Sequence, residues 1–247
     1  MIKTAIFVEG QTELIFVREM LLRLFNWSNI SIECYTLFID EKHIPTEYSY
    51  AAPHIEYYFQ INNVGNDHGL LSRIKKREKW IWNDGFSRII GLRDMYSKSY
   101  REVVKNALID NEVNKKFIEA HKSEIIKFSE RQYDIYFNFS IMEIEAWLLG
   151  FVKKFDKLHP QLDLNSINQA LNMDFEEIDP ETAFFHPSNN LDMICRLAGQ
   201  RYDKKKGDVS AILSHIEKED YLNLYEKNIC GSYNIFFDSL NIPKDIL

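Results

Sequence analysis

Five acidic residues stand out by where they fall: Glu9 and Glu13, Asp94, and the pair Glu143 and Glu145. Each point follows a short apolar run. Glu9 follows Thr4-Ala5-Ile6-Phe7-Val8, Asp94 follows Arg88-Ile89-Ile90-Gly91-Leu92-Arg93, and the Glu143/Glu145 pair comes just after Tyr133–Phe139. In a parallel sheet all strand carboxyl ends lie on one edge, so acids distant in sequence can meet at one spot. Several carboxylates in one place cannot all stay ionised without cations. Hard oxygen donors of this kind suit Mg²⁺ or Mn²⁺, and two such ions about 4 Å apart are a common device for hydrolysing phosphodiesters. Any one of the acids alone is accounted for as a helix cap or an ion-pair partner. Glu13, for example, suits the positive end of a first helix. Glu143 and Glu145 share a side only if their segment is extended, and they diverge if a helix already begins at Met142.

The elements that must position these acids can be read from periodicity. The run 2–8 is continuous rather than alternating and rich in β-branched and aromatic residues, so it predicts a buried parallel strand. Apolar residues at 14, 17, 21, 24 and 25 predict a helix over about 12–26. Ile30–Ile39 reads as a second strand. Residues 41–66 read as a loop with one further strand at Ile55–Ile61. A helix is expected over His68–Trp82, then strands at 88–93 and 133–139. Between them, 98–131 reads as an inserted helical pair. A helix over Met142–Phe155 follows Ser140. Beyond Pro160 the chain reads as helical, near 165–172, 189–198, 209–227 and 232–240, with Ser188 as a helix cap. This order implies a parallel-rich α/β sheet flanked by helices, with a helical insertion and a helical C-terminal region. The expected division is a core over 1–157 and a helical region over 158–247 that completes the site.

With 247 residues, 45% of them hydrophobic and 27% charged, the chain has an ordinary globular balance. Its 30 Lys+Arg against 37 Asp+Glu give a net charge of −7. That excludes a generally basic nucleic-acid coat but permits a local basic groove. Cys34, Cys195 and Cys230 are far apart and form no CxxC pair, so neither a disulfide framework nor a zinc site is expected. The first apolar run is too short for a signal peptide and acids follow it at once. No stretch approaches the roughly 20 apolar residues of a membrane span. A cytoplasmic protein with no membrane partner is expected. Arg73, Lys75, Lys76, Arg77 and Lys79, with Trp80 and Trp82, can contact a phosphate backbone and stack bases, or can form a solvated helix face. Seven histidines lack ligand spacing, and His186 in Phe184-Phe185-His186-Pro187-Ser188 is the one to watch. No Walker A loop is present, so any ATPase would be a partner.

Val8-Glu9-Gly10-Gln11-Thr12-Glu13 resembles the first motif of Toprim domains, and Asp94 falls where their DxD motif is expected. Within that superfamily the chain is similar to nucleases of the overcoming-lysogenization-defect type. It is closer still to stand-alone bacterial Toprim-like proteins, often encoded beside ATPases in phage-defence loci. Glu143-Ile144-Glu145-Ala146-Trp147-Leu148-Leu149 and Tyr202-Asp203-Lys204-Lys205-Lys206-Gly207 carry that likeness. The resemblance implies a divalent-metal-dependent nuclease acting on DNA or RNA, an effector of anti-phage defence. Glu9 would be a metal ligand or general acid–base residue, and Glu13, Asp94, Glu143 and Glu145 further ligands of Mg²⁺ or Mn²⁺. A lysine among 204–206, with Lys205 favoured, would stabilise charge on the phosphate, and Lys204 and Lys206 would join Arg73, Lys75, Lys76 and Arg77 in holding nucleic acid. The sequence departs from the DxD pattern at Tyr96, where the second aspartate is expected. Either Glu143 and Glu145 compensate, or one metal serves, or activity is lost. In that last case the chain is a non-catalytic subunit that binds a partner ATPase from the same locus or a nucleic acid. A primase-like nucleotidyl transferase shares the fold, but no added nucleotide-binding module is seen. Arg93, next to Asp94, is placed to form an ion pair with it.

Overall fold

The computed structural model describes residues 1–38, 42–65, 69–204 and 206–247. Among these residues a seven-stranded mixed sheet forms the centre, in the order β3-β2-β5-β1-β6-β7, with β4 paired to β2. The strands are β1 (Ile2–Val8), β2 (Ile30–Phe38), β3 (Lys42–Pro45), β4 (Tyr50–Ala51), β5 (Tyr57–Asn63), β6 (Arg88–Asp94) and β7 (Ile135–Ser140). Strands β2, β5, β1, β6 and β7 run parallel, and β3 and β4 lie antiparallel on β2.

The unbroken apolar character of β1 has a simple cause: both faces of the sheet are covered. Ile6 and Val8 face α1 (Gln11–Leu24) and the C-terminal helices, while Ala5 and Phe7 face α2 (Leu70–Asn83) and α4 (Asn111–Phe128). Helix α1 is apolar nearly all round, as a helix enclosed on several sides must be. It lies between the sheet and α9 (Lys206–Leu213) and α10 (Lys218–Glu226). On the opposite face α2 comes very close to β6. A Cβ added to Gly91 would stand 2.9 Å from Phe137 and 3.0 Å from Leu70, so the missing side chain sets the layer spacing.

The remaining elements are α3 (Lys98–Val103), α5 (Glu145–Leu149), α6 (Leu164–Leu171), α7 (Pro180–Ala183), α8 (Pro187–Leu197) and α11 (Gly231–Leu240). The core on the α1 face runs without interruption from Ile6 through Trp147 to Leu240. Trp147 is its pin. The ring is fully buried against Phe16, Tyr233 and Phe236 at 5.4–5.5 Å, and its Nε1–H donates to Glu181 (2.7 Å) and Ser232 (3.1 Å). Among the described residues no helix is long and apolar enough to cross a membrane.

Several expectations need correction. The stretch expected as loop holds two short antiparallel strands, β3 and β4, with β5 at Tyr57–Asn63. Strands β3 and β4 are polar and largely exposed, so neither face carries an apolar signal. The long helix expected over 142–155 is interrupted. Met142 takes φ +63°, α5 spans only Glu145–Leu149, and a 3₁₀ segment follows at Val152–Lys157. The helix expected over 209–227 is two, α9 and α10, because Glu217 and Asp220 form a capping box that starts a new helix. Helix α7, not expected, is also capped: Asp179 accepts from the Glu181 N–H (2.8 Å) and Pro180 occupies the first turn. Ile39 and His68, at the expected ends of β2 and α2, lie outside the described residues.

Candidate functional site

Strand order decides where a site can form. From β1 the chain leaves through α1 toward β2, on one side. From its neighbour β6 it leaves through α3 and α4 toward β7, on the other. The crevice between β1 and β6 is therefore a topological switch point, where open α/β sheets bind ligands. Glu9 stands at the end of β1 and Asp94 at the end of β6. They are joined across the crevice, with the Asp94 N–H donating to Glu9 Oε2 at 3.2 Å.

Asp94 is only 8% exposed. Its Oδ1 accepts from Ser140 Oγ (2.6 Å) and from the Ile144 N–H (2.9 Å). Burial first, and then the charges of Glu13 and Glu145, hold its carboxyl well above the usual range. Glu13 lies in the first turn of α1 and is also buried. Gly10 leaves it room, since a Cβ at that position would sit 3.0 Å from Glu13 Oε2. Burial, followed by the charge of Glu9, pushes Glu13 up to about 7. A carboxylate serving only the helix dipole would be solvated and would not shift this way.

The third acidic point arrives through the backbone of residues 142–144. With Met142 at positive φ and α5 starting only at Glu145, Glu143 and Glu145 turn the same way. Lys204 Nζ lies 3.4 Å from Glu143 and 3.2 Å from Glu145. Glu143 also accepts from the N–H (3.0 Å) and hydroxyl (2.6 Å) of Ser188. Ser188 does not cap α8, whose N-cap residue is His186. Instead Glu143 takes up an N–H in the first turn of α8 that has no partner inside the helix. Glu145 is fully buried; its Oε1 accepts from Tyr202 OH at 2.8 Å. Its Oε2 makes no hydrogen bond among the described residues, and the charge it faces is the Lys204 ammonium. Burial raises the Glu145 carboxyl. Burial alone would lower Lys204, but the charges of Glu145, Asp94 and Glu143 outweigh it, and its pKa lies above the ordinary lysine value.

Five carboxylates, Glu9, Glu13, Asp94, Glu143 and Glu145, thus gather around one ammonium. All five are hard oxygen donors, the donor class that divalent cations such as Mg²⁺ take. Among the described residues no group of three or more His, Cys, Asp or Glu side chains stands in an arrangement that could hold a metal ion; Lys204 supplies positive charge among the acids. Its φ of +60° is one that non-glycine residues seldom adopt, and its side chain, 42% exposed, lies at the outer side of the cluster with its ammonium on Glu143 and Glu145. Lys205, the lysine favoured from sequence, lies outside the described residues, as does the side chain of Lys206. Arg93 does not turn toward the acids. Strand alternation points it to the α4 side, where its guanidinium meets His121 (3.3 Å) and Phe139 (5.8 Å to the ring).

The α2 basic run is not brought to this spot. Helix α2 packs on the opposite face from α1 and leads away from the carboxyl edge. There Lys75 reaches the Phe128 ring (5.7 Å), Arg77 meets His43 (3.2 Å), Lys76 is exposed, and Arg73 in the first turn is half-buried. A cavity of about 710 Å³ also lies away from the acids, along the β7 edge between α4 and α11. Its walls are mostly apolar, and Glu181, one of the acids lining it, is engaged by Trp147 and Ser232.

A family model described as a domain of unknown function (DUF4276) matches residues 8–223. The chain belongs to this family. The DUF4276 match takes in all five acids and Lys204, and it ends before α11. No curated protein and no solved structure matches the chain.

Proposed function

We propose that this DUF4276 protein is a Toprim-type, divalent-metal-dependent nuclease that hydrolyses phosphodiester bonds in DNA or RNA, as an effector of anti-phage defence. The observation that carries the reading is the joining of Glu9 to Asp94 across the switch point, with Glu13, Glu143 and Glu145 around the same centre. The donor chemistry suits a hard cation, since all five groups are carboxylates, and Glu145 Oε2, with no hydrogen bond among the described residues, faces the Lys204 ammonium at 3.2 Å, a place a cation would take. Glu9, Asp94, Glu143 and Glu145 would hold Mg²⁺ or Mn²⁺, with Glu13 beside them. The bound cation would supply charge neutralisation at the phosphate and would lower the pKa of a water molecule, so that the water can lose a proton and attack as hydroxide. Lys204 Nζ would meet the negative charge that develops on the phosphate oxygens. Glu13, raised to about 7 by burial and the neighbouring Glu9 charge, would ionise more readily beside a bound cation.

The test compares wild type with Glu9→Gln and Asp94→Asn on labelled DNA and RNA in Mg²⁺ and in Mn²⁺. Wild type should cleave, and each variant should lose about 100-fold or more. Equal cleavage by Glu9→Gln would end the nuclease reading. A second reading is favoured by Tyr96 and by the lysine already neutralising the acids. In it the chain is a non-catalytic Toprim-like subunit that binds an ATPase or nucleic acid. Calorimetry separates the two, because only the nuclease requires Mn²⁺ binding that Asp94→Asn abolishes.

A further inference from the structure

The residue that departs from the expected acidic pattern borders the acids directly. Tyr96 lies two residues beyond Asp94, and its N–H bonds the Met142 carbonyl (2.8 Å), next to Glu143. Its ring meets His186 edge-on at 4.7 Å and Phe185 at 5.5 Å. His186 is two residues before Ser188, which binds Glu143. The Arg101 guanidinium lies 5.6 Å from the Tyr96 ring centroid. Tyr96, Phe185 and His186 are half-buried, and Arg101 is exposed. An aromatic group with a cation over it, at the lip of a deep acidic crevice, differs from a further metal ligand in what it can recognise. A neutral phenol is a poor partner for a hard cation, whereas π faces and guanidinium groups stack on bases.

We propose that Tyr96, Phe185 and His186, with Arg101, form a platform for an unpaired nucleobase next to the cleaved phosphate, so that the substrate is single-stranded nucleic acid. This rests on the nuclease reading and specifies its substrate. Bases in a duplex are stacked on each other and offer no face to such a rim. An unpaired base can leave its neighbours, lie on the rim, and direct its own phosphate toward Asp94 and Lys204. Arg101 serves the backbone as well as the ring.

The experiment measures fluorescence anisotropy of labelled oligothymidylate, of an equally long abasic oligomer, and of the oligothymidylate–oligoadenylate duplex. The protein carries Glu9→Gln so that the strand is not cut. The parent should bind oligothymidylate more tightly than either alternative. Tyr96→Leu should weaken oligothymidylate binding by roughly 5- to 100-fold, the range for losing one stacked base, and leave the abasic oligomer unchanged. Tyr96→Phe should keep most of the affinity, and Arg101→Ala should weaken both single strands. If circular dichroism shows Tyr96→Leu unfolded, His186→Ala takes its place with the same expected pattern. The platform is overturned if the leucine variant binds as its parent does, or if the parent prefers the duplex or binds the abasic oligomer equally well. If neither wild type nor parent binds any oligomer, the nuclease reading falls together with it; binding that ignores Tyr96 removes the platform alone.

Discussion

Glu13 and Lys204 act on the site in opposite directions: Glu13 adds negative charge to it as pH rises, and Lys204, charged throughout that range, offsets it. Glu13 is near 7 in the folded chain against an ordinary 4.5, so between those values the folded state holds more protons than the unfolded one. Stability therefore falls as pH rises through that window, and the loss is complete above about 7. Urea unfolding of metal-free protein at pH 5, 6 and 8 should show this decline. Glu13→Gln should flatten it and add on the order of 2–3 kcal/mol at pH 8. Lys204 offsets the same repulsion. Lys204→Met should lower the metal-free melting temperature at pH 8 by several degrees, because Glu145 loses the charge it faces. With its competitor gone, Mn²⁺ should bind that variant more tightly in calorimetry while any cleavage slows. Weaker Mn²⁺ binding would show that the lysine supports the ion instead of standing in for it. The acids were legible in sequence because strand ends are legible. The choice of Lys204 was not, since the sequence offers three adjacent lysines and what marks Lys204 is its contact with Glu143 and Glu145, far away in the chain.

At the level of elements, β1, α1 and β6 could be read directly, because burial on both sides leaves an unbroken apolar run with a helix-period pattern behind it. Gly91 shows how closely those layers meet. Gly91→Ala should cost about 1–3 kcal/mol by overpacking against Phe137 and Leu70, seen as a lower urea midpoint with an unchanged slope. Helix α5 was misread as long. Its residues have helical character well beyond Leu149, but the segment enters at positive φ, and a local pattern does not report such a turn. The same turn brings Glu143 and Glu145 together, so the place where local propensity failed is where the candidate site is built.

Across the whole molecule, the C-terminal region supplies a large share of one side of the core as well as Lys204, Tyr202 and Ser188. A fragment of residues 1–157 would leave the buried face of α1 without α9 and α10. It is expected to lack near-ultraviolet circular dichroism and to bind a hydrophobic dye; a cooperatively folded fragment would show that the first part is independent. The sequence by itself determined the α/β class, the central strands and the acids at their ends, because each follows from the burial of a short stretch of neighbouring residues. Only the tertiary structure decided that β1 and β6 are neighbours across a switch point, that Lys204 neutralises the acids, and that Ser188 and Tyr202 orient them. Those facts depend on contacts between residues some 40 to 85 positions apart, for which no local periodicity exists.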